Sequence, residues 1–342
     1  MGVEAGFTFP ESGTMQNSQK SWKRLLRLLG PVIFIFLFIR VVDTKATVSI
    51  LKEIRPDMAL VSVILFPVVN AVLTIRWWLI CQRLELKLSF NWLFQINYVS
   101  WFLSALPLVG ISPLSKFFYL RAKSKPAGLS VVSITCDKLF DILGLTIFGL
   151  FGLVYFPRDF FKETYLWMVL VAGVLSLLFL LLFGGNIWSV IMQFFKHYTS
   201  KRLQKIGSNL EKDLKGFWSG FNVPFFMLIL GVSIAIGLLR ALVLYILAVS
   251  LGVKVGFGLI VACRAVIGIV NVIPISISGL GTRDAVLLMT LPLAGVSKEA
   301  AIALGLLAFV WTIGSKFSGI FFWLKRPLPS RNILDSKDKE VS

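Results

Sequence analysis

The chain has 342 residues, 57% of them hydrophobic and 15% charged, with a formal net charge of +18. A soluble domain carries charge on about a quarter of its residues, so the composition excludes an ordinary soluble protein. The basic excess lies in short loops between apolar runs, which fits contact with anionic membrane lipids and leaves nucleic acid no soluble domain to contact.

Residues 1–19 are polar and bear Gly, Ser and Pro, which predicts a disordered N-terminal tail, with Met15 as an alternative start. Lys20, Lys23, Arg24 and Arg27 then precede an apolar run without a small-residue cleavage site, so an uncleaved first span is expected over 25–42. Further spans are expected near 58–81, 129–156, 165–183, 223–251 and 299–324. None shows the strict alternation of a β-barrel strand. Two other apolar stretches are broken, 92–118 by Pro107, Gly110 and Pro113, and 257–293 by Pro274 and several glycines. In the loop 184–222, Leu203, Ile206, Leu210, Leu214, Phe217 and Phe221 recur at helical spacing among lysines. A helix on the inner leaflet and a connector packed on the protein both fit that pattern.

Charge bias orders these segments. With a cytoplasmic N-terminus and both broken stretches re-entrant, the inside segments hold 21 of the 35 Lys and Arg residues and the outside segments 8. If the first stretch crossed, Lys116, Arg121, Lys123 and Lys125 would face outside, against the positive-inside pattern. The expectation is an all-α polytopic membrane protein with six full spans and two re-entrant helical hairpins, both termini cytoplasmic. Eight spans is the alternative. The domain runs over 20–325, with a cytoplasmic tail at 326–342, and the cell membrane is the expected location.

An offset of 167 places Pro107 on Pro274, Lys116 on Arg283, and 58–81 on 225–248. The halves, about 25–156 and 165–324, would each hold three crossings and one hairpin. Three is odd, so the second half is expected to be inverted, a transporter architecture. Irregular backbone at membrane depth is tolerated where it is buried in protein or lines a cavity. The expected headgroup-binding set is therefore Asn271, Ser276, Ser278, Gly279, Gly281, Thr282 and Arg283 in the second hairpin, with Ser112 and Lys116 in the first. A helix N-terminus beside arginine suits a phosphate. The bland alternative is close helix packing, with Arg283 reaching the interface.

Asp137, Lys138 and Asp141, together with Arg76, Arg240 and Arg264, are charges inside apolar runs. Each costs at least ~2.5 kcal/mol at the bilayer centre and so needs a partner or a wet cavity. Two readings stand: a headgroup site with an aspartate relay, or structural ion pairs of Asp137 and Asp141 with Arg76 or Arg240. Lys316 is expected to snorkel. Arg40, Trp77, Trp78, Trp92, Trp101 and Trp323 are expected as interfacial anchors. Cys81, Cys136 and Cys263 form no disulfide or zinc pattern, and His197 stands alone, so neither a metal nor a cofactor is expected. With no clear nucleophile or nucleotide-binding loop, an enzyme is not expected.

The run from Asn271 through Pro274, Ser276, Ser278, Gly279, Gly281, Thr282 and Arg283 to Asp284 and Ala285 resembles the signature of the lysylphosphatidylglycerol synthase transmembrane, flippase-like family. Pro107 to Lys116, and Asp137-Lys138 with Asp141, resemble two further patterns of that family. Lys116 stands where arginine is common, Asp137-Lys138 where glutamate-arginine is usual, and Asp284 where glutamate is usual. The resemblance spans about 20–325 and implies lipid translocation, of an aminoacylated or anionic phospholipid or a polyprenyl-phosphate-linked glycolipid. It also implies links to lipid or glycan biosynthesis enzymes. The run after the last span is short, so the soluble aminoacyl-transfer domain of fused family members is not expected here. A membrane-embedded lipid-modifying enzyme using Asp137 and Asp141, and a non-transporting pathway partner, are the other readings.

Overall fold

A computed structural model describes residues 44–105, 111–152, 173, 222–271 and 279–327. All regular structure there is helical. In chain order the helices are α1 (Thr44–Lys52), α2 (Pro56–Arg83), α3 (Phe90–Leu103), α4 (Ile111–Ala122), α5 (Ala127–Gly152), α6 (Val223–Ser250), α7 (Phe257–Val270), α8 (Thr282–Thr290), α9 (Lys298–Phe317) and α10 (Gly319–Lys325). The spans expected at 25–42 and 165–183, the tail 1–19, the loop helix in 184–222, and Pro107, Pro274, Ser276 and Ser278 lie outside the described residues.

Among the described residues, three segments are long and apolar enough to cross a membrane: Pro56–Arg83, Val223–Ser250 and Lys298–Lys325. Helix α5 is comparably long at 26 residues, but carries Asp137, Lys138 and Asp141 in its middle. The helix starts follow local chemistry. Pro56 and Pro224 stand in first turns, where no N–H is needed. Asn222 Oδ1 accepts the Phe225 N–H at 3.1 Å, and Ser297 Oγ accepts the Ala300 N–H at 3.2 Å. Large apolar side chains such as Leu60, Ile64, Met227 and Val310 remain exposed on the long helices. Water would penalise such surfaces and lipid would not.

The 167-residue offset recurs in the helix bounds. It carries Pro56–Arg83 onto Val223–Ser250 and Phe90–Leu103 onto Phe257–Val270. The turns between them close alike. The Leu86 N–H bonds to the Cys81 carbonyl and the Val253 N–H to the Ala248 carbonyl, each at 3.0 Å. The left-handed turn residue is Glu85 (φ 55°) in one and Gly252 (φ 69°) in the other.

Two apolar clusters form, each centred on one half and completed by residues of the other, Ile229 in one case and Val69 and Phe148 in the other. One centres on Trp77, Ile80, Leu93, Ile96, Leu120 and Phe140, the other on Leu244, Ile260, Ala262, Leu287, Ala303 and Leu304. The equally long α2 and α6 pack closely, α5 lies against both, and α7 lies against α5. Arg76 of α2 and Arg240 of α6 meet on Asp141 of α5, at the seam where the first half's helices contact α6. Elsewhere, α10 lies on α3 so closely that a Cβ on Gly319 would strike the Tyr98 carbonyl oxygen. The Tyr119 hydroxyl of α4 donates to the Arg326 carbonyl just past α10.

Candidate functional site

Asp137 and Asp141 are four residues apart on α5 and so share a face. Both aim at the seam. Arg76 of α2 donates from Nε to Asp137 Oδ1 at 2.9 Å and from Nη2 to Asp141 Oδ1 at 3.4 Å. Its Nη1 also reaches Ser233 Oγ of α6 at 3.2 Å. Arg240 of α6 donates to the same Asp141 Oδ1 at 3.1 Å. Lys116 of α4 donates to Asp137 Oδ2 at 3.3 Å, with its ammonium 4.1 Å above the centroid of Trp77. Three cations thus share two carboxylates across four helices. Buried charges are tolerable when each is paired and hydrogen-bonded, and this ladder satisfies both conditions.

The second hairpin is organised by Asp284. Its Oδ2 accepts the Gly281 N–H at 2.7 Å, and its Oδ1 holds Arg283 Nη2 at 3.3 Å. Arg283 Nη2 also donates to the Gly305 carbonyl at 2.8 Å. A Cβ on Gly305 would collide with Asp284 Oδ1, so glycine is required there. Gly279 and Gly281 take φ of 81° and 84°, the left-handed region. Thr282 Oγ1 donates to Asn271 Oδ1 at 3.2 Å, joining the two sides of the break. The two breaks share one side-chain contact at the 167-residue offset. Ser115 Oγ donates to the Ser112 carbonyl at 2.7 Å, and Thr282 Oγ1 lies 3.4 Å from the Gly279 carbonyl, 167 positions on.

Two cavities flank the ladder. The larger, ≈ 590 Å³, is lined by Lys138, Arg240, Arg264, Arg283, Lys316 and Asp141 among its charged groups. Asn271, Gly279, Trp101 and Trp311 also line it, and Leu145, Val243 and Leu247 give it apolar wall. The smaller, ≈ 290 Å³, holds Arg76, Lys116, Asp137 and Ser112. Trp101, Lys138, Asp141 and Arg240 line both, so the rungs of the ladder separate the two spaces.

A family model described as "Lysylphosphatidylglycerol synthase TM region" matches residues 24–314. The chain belongs to that family. It is also similar to the UPF0104 membrane protein MJ1595 of Methanocaldococcus jannaschii, 21% identical over 306 residues, 84% of this chain and 90% of that protein. No solved structure matches the chain.

Within this lysylphosphatidylglycerol synthase TM region, most of the expected residues converge. Arg283, Asn271, Gly279, Arg240, Arg264, Lys138 and Asp141 share one cavity wall, and Lys116, Ser112, Arg76 and Asp137 line the adjoining one. Gly281 and Thr282 shape the turn that presents Arg283. Three expectations change. The N-terminus of α8 is not open to a phosphate at Gly281, because Asp284 already takes that N–H. Lys316 does not snorkel; it is buried and lines the larger cavity. Trp77 is no interfacial anchor but is fully buried beneath Lys116, and Trp101 faces both cavities. Sequence reading missed Asn70, whose amide is buried without a hydrogen-bond partner beside the smaller cavity. The signal was an asparagine in the middle of an apolar span. It also missed the pairing of Asn97 Nδ2 with Thr74 Oγ1 at 2.8 Å.

Proposed function

We propose that this protein moves an anionic lipid between leaflets, with the headgroup passing through the two cavities on either side of Asp141. The observation that carries the reading is the larger cavity. It gathers Lys138, Arg240, Arg264, Arg283 and Lys316 around one carboxylate, among helices apolar enough to lie in lipid. Cations at membrane depth are costly and mark ion or substrate pathways. The recurrence of helix bounds and turn hydrogen bonds at one offset adds to it. On this reading the halves are inverted, six spans cross, the broken stretches re-enter from opposite faces, and both termini are cytoplasmic. Alternate exchange of the two halves would open the seam to one side and then the other.

No covalent bond changes in such a step. Purified protein reconstituted into liposomes should move fluorescent anionic phospholipid across the bilayer, and lipids recovered afterwards should keep their masses. Arg283→Ala and Lys116→Ala should each slow the movement about tenfold or more, the scale of a lost charged contact. Altered lipid masses would point to a membrane-embedded enzyme. Absent movement with a stably co-purifying biosynthetic enzyme would point to a non-transporting partner.

A further inference from the structure

We infer that the larger cavity is built for a headgroup bearing two negative charges, as a phosphomonoester or a diphosphate does, and that it discriminates against aminoacylated lipid. The inference rests on the lipid-binding reading above and narrows it to a substrate class.

The argument is one of charge balance. Among the described residues lining the cavity, Lys138, Arg240, Arg264 and Arg283 accompany one carboxylate. That carboxylate, Asp141, is already divided between Arg76 and Arg240 through a single oxygen. Arg283 is matched by Asp284, but its Nε is buried without a hydrogen-bond partner. Lys138 and Arg264 make no ion pair with a described residue, yet both line the cavity. The space therefore holds more positive charge than its own carboxylate can offset, in surroundings that strengthen each uncompensated charge. One phosphodiester anion leaves an excess; a dianion facing Lys138 and Arg264 removes more of it. An aminoacylated phosphatidylglycerol brings ammonium groups of its own, and these would meet cations with only Asp141 to receive them. A volume of ≈ 590 Å³ is of headgroup size.

The test compares ligands that share tails and differ in charge. Full-length protein in detergent is titrated with dioleoyl phosphatidic acid, dioleoyl phosphatidylglycerol, dioleoyl lysylphosphatidylglycerol and inorganic pyrophosphate, with binding read by native mass spectrometry. Phosphatidic acid should bind about tenfold more tightly than phosphatidylglycerol, and the lysyl lipid more weakly than both. Lys138→Gln and Arg264→Gln should each erase most of that preference. Because neither residue makes an ion pair among the described residues, both variants should fold, and an unchanged melting temperature without lipid checks this. Equal affinity for all three lipids, or a preference that survives both substitutions, overturns the inference. Pyrophosphate binding as tightly as phosphatidic acid keeps the phosphate chemistry but assigns it to a soluble ligand, overturning the lipid source. In parallel liposomes, charge preference without lipid movement sinks transport and leaves the specificity standing. Movement of phosphatidylglycerol with no charge preference does the reverse.

Discussion

Asp137 is the residue on which the ladder depends, because it holds Arg76 on one oxygen and Lys116 on the other. Removing one partner from a buried pair leaves an uncompensated charge, which costs about 3–5 kcal/mol. Asp137→Ala should therefore lower stability on that scale in detergent unfolding, more than Lys116→Ala does. A double-mutant cycle between Lys116 and Asp137 should show clear non-additivity. Asp141 has a different character. Its carboxylate occupies Arg240 at the junction of the cavities, so Asp141→Asn should tighten anionic lipid binding several-fold by removing a competing anion. Weaker binding in that variant would show that Asp141 positions Arg240 instead. Gly305→Ala should cost about 1–3 kcal/mol by driving its Cβ into Asp284.

At the scale of the element, conformation rather than contact sets the outcome at one turn. A Cβ on Gly252 would meet nothing within 4 Å, but its φ is 69°. Gly252→Ala should thus destabilise by about 1–2 kcal/mol from backbone strain alone, readable as a lowered melting temperature. The helix ends were legible in the chain because prolines, Asn222 and Ser297 announce them locally. Breaks in both apolar stretches were legible for the same reason, since proline and glycine act on their own neighbours. Which way each helix turns its polar residues was not. Long helices that are apolar on every side carry no stripe to orient them, so Trp77 read as an anchor and Lys316 as a snorkelling residue. The partners of Arg76 were narrowed to two aspartates, but its bond to Ser233 depends on how closely α2 and α6 approach, which hydropathy does not encode.

Among the described residues, two apolar clusters centre on different halves but each draws members from the other, such as Val69, Phe148 and Ile229, and ion pairs on Asp141 also join the halves. Apolar cores resist shearing because interdigitated side chains must repack together, whereas an ion pair can exchange one partner for another. The ion pairs around Asp141 are therefore the contacts most able to exchange partners if the halves shift. Hydrogen exchange should be slowest in the cores around Trp77 and Ala262 and faster at the helix ends bordering the cavities. The 167-residue offset was legible as spacing, and the helix bounds and turn bonds follow it. The shape of the space between the halves was not, because a cavity is a property of packing and leaves no pattern in one strand of sequence.

The bond from the Tyr119 hydroxyl to the Arg326 carbonyl ties a cavity-lining helix to the far end of the described chain. Tyr119 lies one turn from Lys116, so a rotation of that helix would tug on the tether. An environment-sensitive dye placed just beyond Arg326 would then register occupancy at Lys116 without touching the pocket, and Tyr119→Phe would silence the signal while leaving the pocket's own side chains in place.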